Sequence, residues 1–455
     1  MEQPDHRVIH KNLHRTILEL SLPGMISSIL QTMYQIIDAY WVGKLGAEAL
    51  AAIGGSAFVL WAIFSLTALS VTGITTLVAQ NIGAGKENAA RHAAVQGLIL
   101  ATLLALLLAV TIYFLQDVLY RVMGFTLVVR EMARDYMTIM AGGFLIIFWF
   151  VSLEGVFRGL GDTRTPMVIV AVSLAFNSIA DPVFIFGWLG FPALGVGGAA
   201  LATVLAEFLS LILAVWLLRK KQFLAPRDYY LQARLQWPIA KRILEIGLPI
   251  ALGGFFFSII YVFLTNIIAR FGTEAIAAIG VCHRIEGVAW FACVGFSVAA
   301  TTLVGQFTGA GRIDEARRAA WWVSGYGVIT LLMVSIAFYF FPEFLMSIFT
   351  DDIQVRRIGA EYLRIIACFE IFLALEVIME GAFSGAGYTL PVMLVSVPIT
   401  AVRIPLAWYL ALHLGMETAG IWWAIAATTF VKGLLNSILF ALGIWKKRLH
   451  LAPGR

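Results

Sequence analysis

The 455-residue chain is 60% hydrophobic and 13% charged, with a formal net charge of +5. Soluble domains carry roughly 25% charged residues, so this chain lacks the polar side chains to cover a water-facing surface, and bilayer is its solvent. The positive balance does not imply nucleic acid, because most basic residues sit in short loops between apolar runs, where charge sets topology.

The first fifteen residues are polar and basic, and the apolar run that follows continues to about Val42, too long for a signal-peptide core. It reads as the first of twelve spans: 16–42, 50–82, 93–115, 132–157, 165–188, 195–218, 242–269, 275–306, 319–341, 358–383, 389–412 and 419–445. Each is long enough to cross a bilayer as a helix. The period-2 alternation of barrel strands is absent, and backbone groups in hydrocarbon must then be satisfied within helices. An even number of spans puts both termini and the 219–241 connector on one side. That side holds about 20 Lys and Arg against roughly six to eight opposite, so the termini are predicted cytoplasmic, in the inner membrane.

The chain repeats itself. Residues 17–23 (ILELSLP) match 243–249 (ILEIGLP), 46–54 (GAEALAAIG) match 272–280 (GTEAIAAIG), 75–85 (TTLVAQNIGAG) match 301–311 (TTLVGQFTGAG), and 154–161 (EGVFRGLG) match 380–387 (EGAFSGAG), all at an offset of 226. Near the end of each half, Gly195 to Thr203 align with Gly420 to Thr428 at 225. The fold class expected is therefore an all-α integral membrane protein, twelve transmembrane helices arranged as two parallel six-helix repeats with a central cleft. Its lobes are 1–218 and 242–455, joined by the 219–241 connector.

The repeat supplies an internal control on the buried polar residues, since an ionisable side chain at membrane depth is a functional candidate by default. Gln31, Tyr34, Gln35 and Asp38 recur at helical spacing in the first span. Their partners Phe257, Ile260, Tyr261 and Leu264 are mostly apolar. Asp181 follows Asn177 by one turn in the fifth span, and its partner is Ile404 or a close neighbour. Two carboxylates close together in low dielectric cannot both stay ionised, so one takes a proton or a cation bridges them. Asn177 and the Thr203 hydroxyl are further oxygen donors suited to a small hard cation such as Na+. The structural alternatives are a helix-end hydrogen bond for Asp38 and satisfaction of backbone freed by Pro182 for Asp181.

In the second half the polar residues lie elsewhere: His283, Arg284 and Glu286 on the eighth span, Glu370 and Glu376 on the tenth. They read either as a structural network or as substrate contacts. Phe257 and Tyr261 are aromatic candidates for a substrate cleft, and ordinary helix packing explains them equally well. Glu154 and Glu380 match each other and read as structural, with Arg158 placed to pair with Glu154. GAG (83–85, 309–311) and RGLGDTRTP (158–166) read as helix stops and turns, with Asp162 or Thr163 capping the fifth span; neither string has the strand or lysine of a phosphate loop. Cys282, Cys293 and Cys368 read as small core hydrophobes, and Trp41, Trp188, Trp422, Trp423 and Trp445 as interfacial anchors.

These features together resemble the multidrug and toxic compound extrusion (MATE) family of antiporters. The likeness spans the chain and rests on Leu22, Pro23 and Gly24 opening the first span, on DAYWVGKLGAEALAA (38–52), QNIGAGK (80–86) and RGLGDTRTP, and on ADP (180–182). Asp38, Asn177, Asp181 and Thr203 look like the N-terminal cation site of the DinF-like prokaryotic branch. The NorM-like branch is expected to carry an essential glutamate in the seventh span, which here has only Glu245 at its cytoplasmic end. The resemblance implies export of small cationic or amphipathic organic compounds in exchange for H+ or Na+. The expected protein works as a monomer in the lipid bilayer, without cofactor, nucleic acid or enzymatic activity. A flippase for a lipid-linked saccharide or lipid precursor is the alternative, and it requires a dense cluster of Arg and Lys. Within the spans, Arg284, Arg403 and Lys432 do not make a dense cluster.

Overall fold

The computed structural model describes residues 7–224 and 234–451, and every regular element among them is helical. The first half contains α1 (Leu13–Gly43), α2 (Ala47–Ser65), α3 (Ala68–Gly83), α4 (Glu87–Val122), α5 (Leu127–Gly159), α6 (Arg164–Phe186) and α7 (Val196–Lys220). The second contains α8 (Trp237–Ile268), α9 (Thr273–Gly309), α10 (Ile313–Phe340), the short α11 (Pro342–Ser347), α12 (Ile353–Ala367), α13 (Glu370–Ala386), α14 (Leu390–Trp408) and α15 (Glu417–Ala441). With α2 and α3 forming one crossing and α12 and α13 another, the described residues make twelve membrane-spanning helices in two related halves of six. Several helices outrun their apolar segments. α4 starts at Glu87 rather than near residue 93, and Arg91 bonds to Glu87 at 2.7 Å in its first turns. Helix is the cheapest way to keep backbone groups paired through the headgroup layer.

The two broken crossings are not equivalent. Between α2 and α3, Ser65 Oγ donates to Ala62 O at 2.7 Å and Thr67 Oγ1 to Phe64 O at 2.6 Å. Hydroxyls bonding back to the chain compete with the helix. At the equivalent points of the second half stand Phe291 and Cys293, and α9 runs unbroken. The second half instead breaks at 368–369, leaving Cys368 exposed, so that cysteine is not the core hydrophobe expected. Cys282 and Cys293 are buried.

By contacts the chain forms two compact units, one containing Ile26–Gly247 and the other Val8–Met25 with Leu248–Arg455. The chain changes unit inside α1 and again inside α8, close to the repeat-related Pro23 and Pro249. In the second unit Val8, Ile9, Ile17 and Leu20 join the core of α9, α10 and α13, and a Cβ on Gly295 would lie 2.6 Å from Ser21 O. In the first unit α8 approaches α3 in the same way, and a Cβ on Gly247 would lie 2.2 Å from Leu69 O. Ser21 and Gly247 are repeat partners, as are Leu69 and Gly295, so the close crossing is kept while its glycine has changed helix.

Within the first unit α5 is the central post, packed against α2, α3, α4 and α7, with α6 and α7 paired beside it. Of the connector expected at 219–241, residues 225–233 lie outside the described part. Its far end is tied to α4, because Gln96 donates to Arg234 O at 3.0 Å and accepts from Gln236 N at 2.7 Å. The glycine strings are turns: Gly85 and Gly311 take φ +70 and +75 beyond the ends of α3 and α9, a conformation L side chains resist. Trp422 and Trp445 are fully buried and are not interfacial anchors. Trp422 packs edge-on against Tyr362, and Trp445 stacks on Phe440 while donating to its carbonyl at 3.1 Å.

Candidate functional site

Three helices of the first unit, α1, α6 and α7, bring Asp38, Asn177, Asp181 and Thr203 together. Asp38 lies five residues before the end of α1, Asp181 five before the end of α6, and Thr203 in the second turn of α7. Asn177 is one turn below Asp181, and its Nδ2 donates to Asp181 Oδ1 at 3.2 Å. Thr203 Oγ1 donates to Asp38 Oδ2 at 3.3 Å. The Asp38 and Asp181 carboxyls are close enough to interact with each other directly. Asn177 and Asp181 are completely buried, and Asp38 is 9% exposed. Tyr136 of α5 is buried within electrostatic reach of both carboxylates.

This geometry disfavours the structural alternatives. The partner of Asp38 is on another helix rather than at its own end. Pro182 frees the Ser178 carbonyl, an acceptor, which an ionised carboxylate cannot satisfy. Three oxygens of the group, Asp38 Oδ1, Asn177 Oδ1 and Asp181 Oδ2, are buried without a protein partner. An orphaned carboxylate oxygen in a dry interior is costly. Two such oxygens on facing carboxyls, with an amide oxygen beside them, form a set that a proton or a small oxygen-liganded cation would satisfy.

The remaining stripe of α1 divides. Gln31 and Gln35 are exposed, whereas Tyr34 turns inward with Asp38 and its hydroxyl is buried without a protein partner. Tyr34 stands beside Ser173 of α6 and within electrostatic reach of Glu207 on α7. Glu207 in turn is within reach of Glu154 on α5, and Glu207 Oε2 and Glu154 Oε1 are again buried without protein partners. Arg158 Nη2 lies 3.6 Å from Glu154, the pairing expected from sequence. Glu207 was not among the residues singled out by the sequence. The signal was present in the repeat itself: Glu207 aligns with Lys432, at the same 225 offset that relates Thr203 to Thr428.

In the second unit a different polar group fills the corresponding region. Arg403 of α14 is 2% exposed and donates from Nε to Thr428 Oγ1 at 2.9 Å, from Nη1 to Tyr261 Oη at 2.9 Å, and from Nη2 to Thr429 Oγ1 at 3.3 Å. Thr203 therefore faces a carboxylate where its partner Thr428 faces a guanidinium. Lys432 Nζ lies 2.6 Å from Glu376 Oε1, and both side chains are largely buried. Tyr362 Oη donates to Glu286 Oε2 at 2.7 Å, and the His283 ring stands near the rings of Tyr261 and Tyr362. Phe257 packs on Tyr261 with ring centroids 4.5 Å apart. Glu370 is buried, with Oε2 lacking a protein partner. Arg284 is exposed on α9 and is not drawn into this group.

At the turn between α5 and α6, Asp162 Oδ1 accepts from Thr165 N at 3.0 Å and its Oδ2 receives Lys221 Nζ at 2.6 Å. Asp162, and not Thr163, supplies the side-chain cap at the start of α6.

Comparison with known proteins gives a consistent result. The MatE family model matches residues 23–183 and 249–409, one match in each half. The chain is 30% identical over 451 residues to a "Probable multidrug resistance protein NorM" of Thermotoga maritima, covering 97% of this chain and 95% of that one. A protein of the same name from Bacillus subtilis is 26% identical, with 91% and 92% covered. Among solved structures, a crystal structure of MATE in the bent conformation matches with TM-score 0.90 at 25% identity, covering 99% of this chain and 100% of that one. A MOP superfamily transporter from Pyrococcus furiosus, described as having a binding pocket of reverse polarity, matches with TM-score 0.88 at 25% identity and the same coverage.

Proposed function

The chain belongs to the multidrug and toxic compound extrusion (MATE) family of membrane transporters, and from that premise we propose that it is a secondary antiporter exporting small cationic or amphipathic organic compounds in exchange for H+ or Na+. The observation that carries this reading is the facing pair Asp38 and Asp181, with Asn177 and Thr203, whose three partnerless buried oxygens call for a proton or cation. The outward-open protein takes up the ion at this pair, substrate is displaced, and the loaded protein resets inward. One charge crossing 100 mV is worth about 2.3 kcal/mol, enough for a roughly fiftyfold gradient of a neutral substrate. In this reading both termini are cytoplasmic, and the chain acts as a monomer in the inner membrane.

The placement of the pair favours the DinF-like arrangement, although the relatives above carry the name NorM; α8 has no acid at membrane depth. A flippase for a pyrophosphate-linked lipid is less well supported. Arg403 is engaged by hydroxyls of its own unit and Lys432 by Glu376, so neither stands ready to hold phosphate.

The test is ion-jump transport in proteoliposomes, with pH and Na+ varied separately. Asp38→Asn and Asp181→Asn are each expected to reduce ion-driven movement of a fluorescent organic cation by at least a hundredfold, with the protein still folded. Wild-type transport by either variant rejects the site.

A further inference from the structure

The groups around Glu207 form a layer of their own. Tyr34, Ser173 and Glu207 each stand four residues from a member of the cation site, namely Asp38, Asn177 and Thr203. Four residues are one helical turn, about 6 Å along the axis. α7 runs opposite to α1 and α6, so a step up in number on α7 and a step down on the other two move in the same direction. That direction leads toward the last turns of α5, where Glu154 and Arg158 lie. The partnerless buried oxygens continue along it: after Asp38, Asn177 and Asp181 come Tyr34 Oη, then Glu207 Oε2, then Glu154 Oε1. The titratable groups facing Glu207 are Tyr34 from α1 and Glu154 from α5, and Ser173 of α6 stands beside Tyr34.

Scattered polar atoms in a core are normally paired. Here one file of oxygens from four helices is left unpaired by protein, as in a hydrated path, where each water needs two to four polar partners. The repeat provides a comparison at the position of Glu207 itself. The second unit has Lys432 where the first has Glu207, and Lys432 is closed off by Glu376 at 2.6 Å; Glu376 stands where the first unit has Phe150.

We infer that the Asp38–Asp181 site opens onto a polar column within the first unit, and that Glu207 is the relay residue through which the coupling ion, H+ or Na+, leaves the site toward the Arg158 end. The inference rests on the antiport reading of the site, and its test separates the two. Full-length protein in proteoliposomes is compared as wild type, Asp38→Asn, Glu207→Gln and Glu207→Asp. The readouts are ethidium movement after a pH or Na+ jump and, separately, equilibrium binding of protons and radioactive Na+. Glu207→Gln should slow ion-driven transport at least tenfold while ion affinity stays within threefold of wild type, and Glu207→Asp should recover most of the rate. In a background with Cys282, Cys293 and Cys368 replaced by Ala, Ser173→Cys should be inactivated by Ag+ at least tenfold faster than Ser56→Cys, a buried position outside the column.

Wild-type rates in Glu207→Gln with an inactive Asp38→Asn overturn the column and leave the site standing. Wild-type rates in both overturn both. Loss of affinity in Glu207→Gln equal to its loss of rate makes Glu207 part of the binding site and overturns the relay, as does a Ser173→Cys no more reactive than Ser56→Cys.

Discussion

Asp162 shows how the polar contacts of one side chain hold a largely buried turn of this membrane protein. Burial alone would raise its carboxyl, but the Lys221 ammonium and the Thr165 hydroxyl and amide outweigh that, and the group titrates below the ordinary carboxylate range. A carboxyl with a lower value folded than unfolded stabilises the protein fully above the unfolded value, and that stability is lost as pH falls through the folded one. Asp162→Asn is therefore expected to cost about 1 kcal/mol at pH 7, a modest figure because the side chains of Lys221 and Asp162 are 34% and 19% exposed. The gap to wild type, followed by thermal unfolding in detergent, should close as pH drops below about 4. A gap unchanged at low pH would assign the effect to something other than charge. The sequence points to Asp162 or Thr163 without deciding between them, because Lys221, which holds Asp162 in place, is 59 residues away, just past the end of α7. Asp38 and Asp181 were legible because the second half lacks them. Glu207 is less legible, because a lone acid on an apolar helix shows nothing of the Tyr34 and Glu154 within its electrostatic reach.

At the scale of helices, the repeat preserves close crossings as well as sequence. A Cβ on Gly155 or Gly159 of α5 would meet Val71 O at 3.2 Å or Thr75 O at 2.8 Å on α3. In the second half Gly381 and Gly385 of α13 meet Ser297 O and Thr301 O on α9, both at 2.4 Å. Small residues four apart let membrane helices approach to backbone contact. Backbone cannot step aside as a flexible side chain can, so Gly385→Ala should cost about 1–3 kcal/mol as an overpacked contact. Gly142→Ala, on α5 with nothing within 4 Å of the added methyl, should be neutral or stabilising by up to about 1 kcal/mol from helix propensity. Equal effects in the two variants, measured by thermal unfolding, would mean that the crossing does not limit stability. The spans themselves were readable because length and apolarity suffice to define them. The breaks were not, because Ser65 and Thr67 interrupt a helix by bonding to their own turn, a choice that hydropathy does not register.

Over the whole molecule, duplication has kept the fold and reversed charge in equivalent places. Thr203 and Glu207 on α7 become Thr428 and Lys432 on α15, and the carboxylate at the first threonine becomes the Arg403 guanidinium at the second. Acids of both units keep partnerless buried oxygens, Glu370 Oε2 and Glu376 Oε2 in the second, but the second also supplies a cation, Lys432, paired to Glu376. Ion coupling in this reading belongs to the first unit alone, and the Glu376–Lys432 pair is structural. A buried ion pair is costly to break by halves, because the survivor is an unpaired charge in low dielectric, yet replacing both partners with neutral groups is often close to neutral. Lys432→Met alone is expected to destabilise by about 3–5 kcal/mol. Adding Glu376→Gln should restore most of that, and the double variant should bind H+ or Na+ within threefold of wild type, where Asp38→Asn does not. Thermal unfolding and equilibrium ion binding on the same preparations measure both. If the double variant is stable but has lost its ion, the second unit carries coupling charge and the division of labour between the halves is refuted.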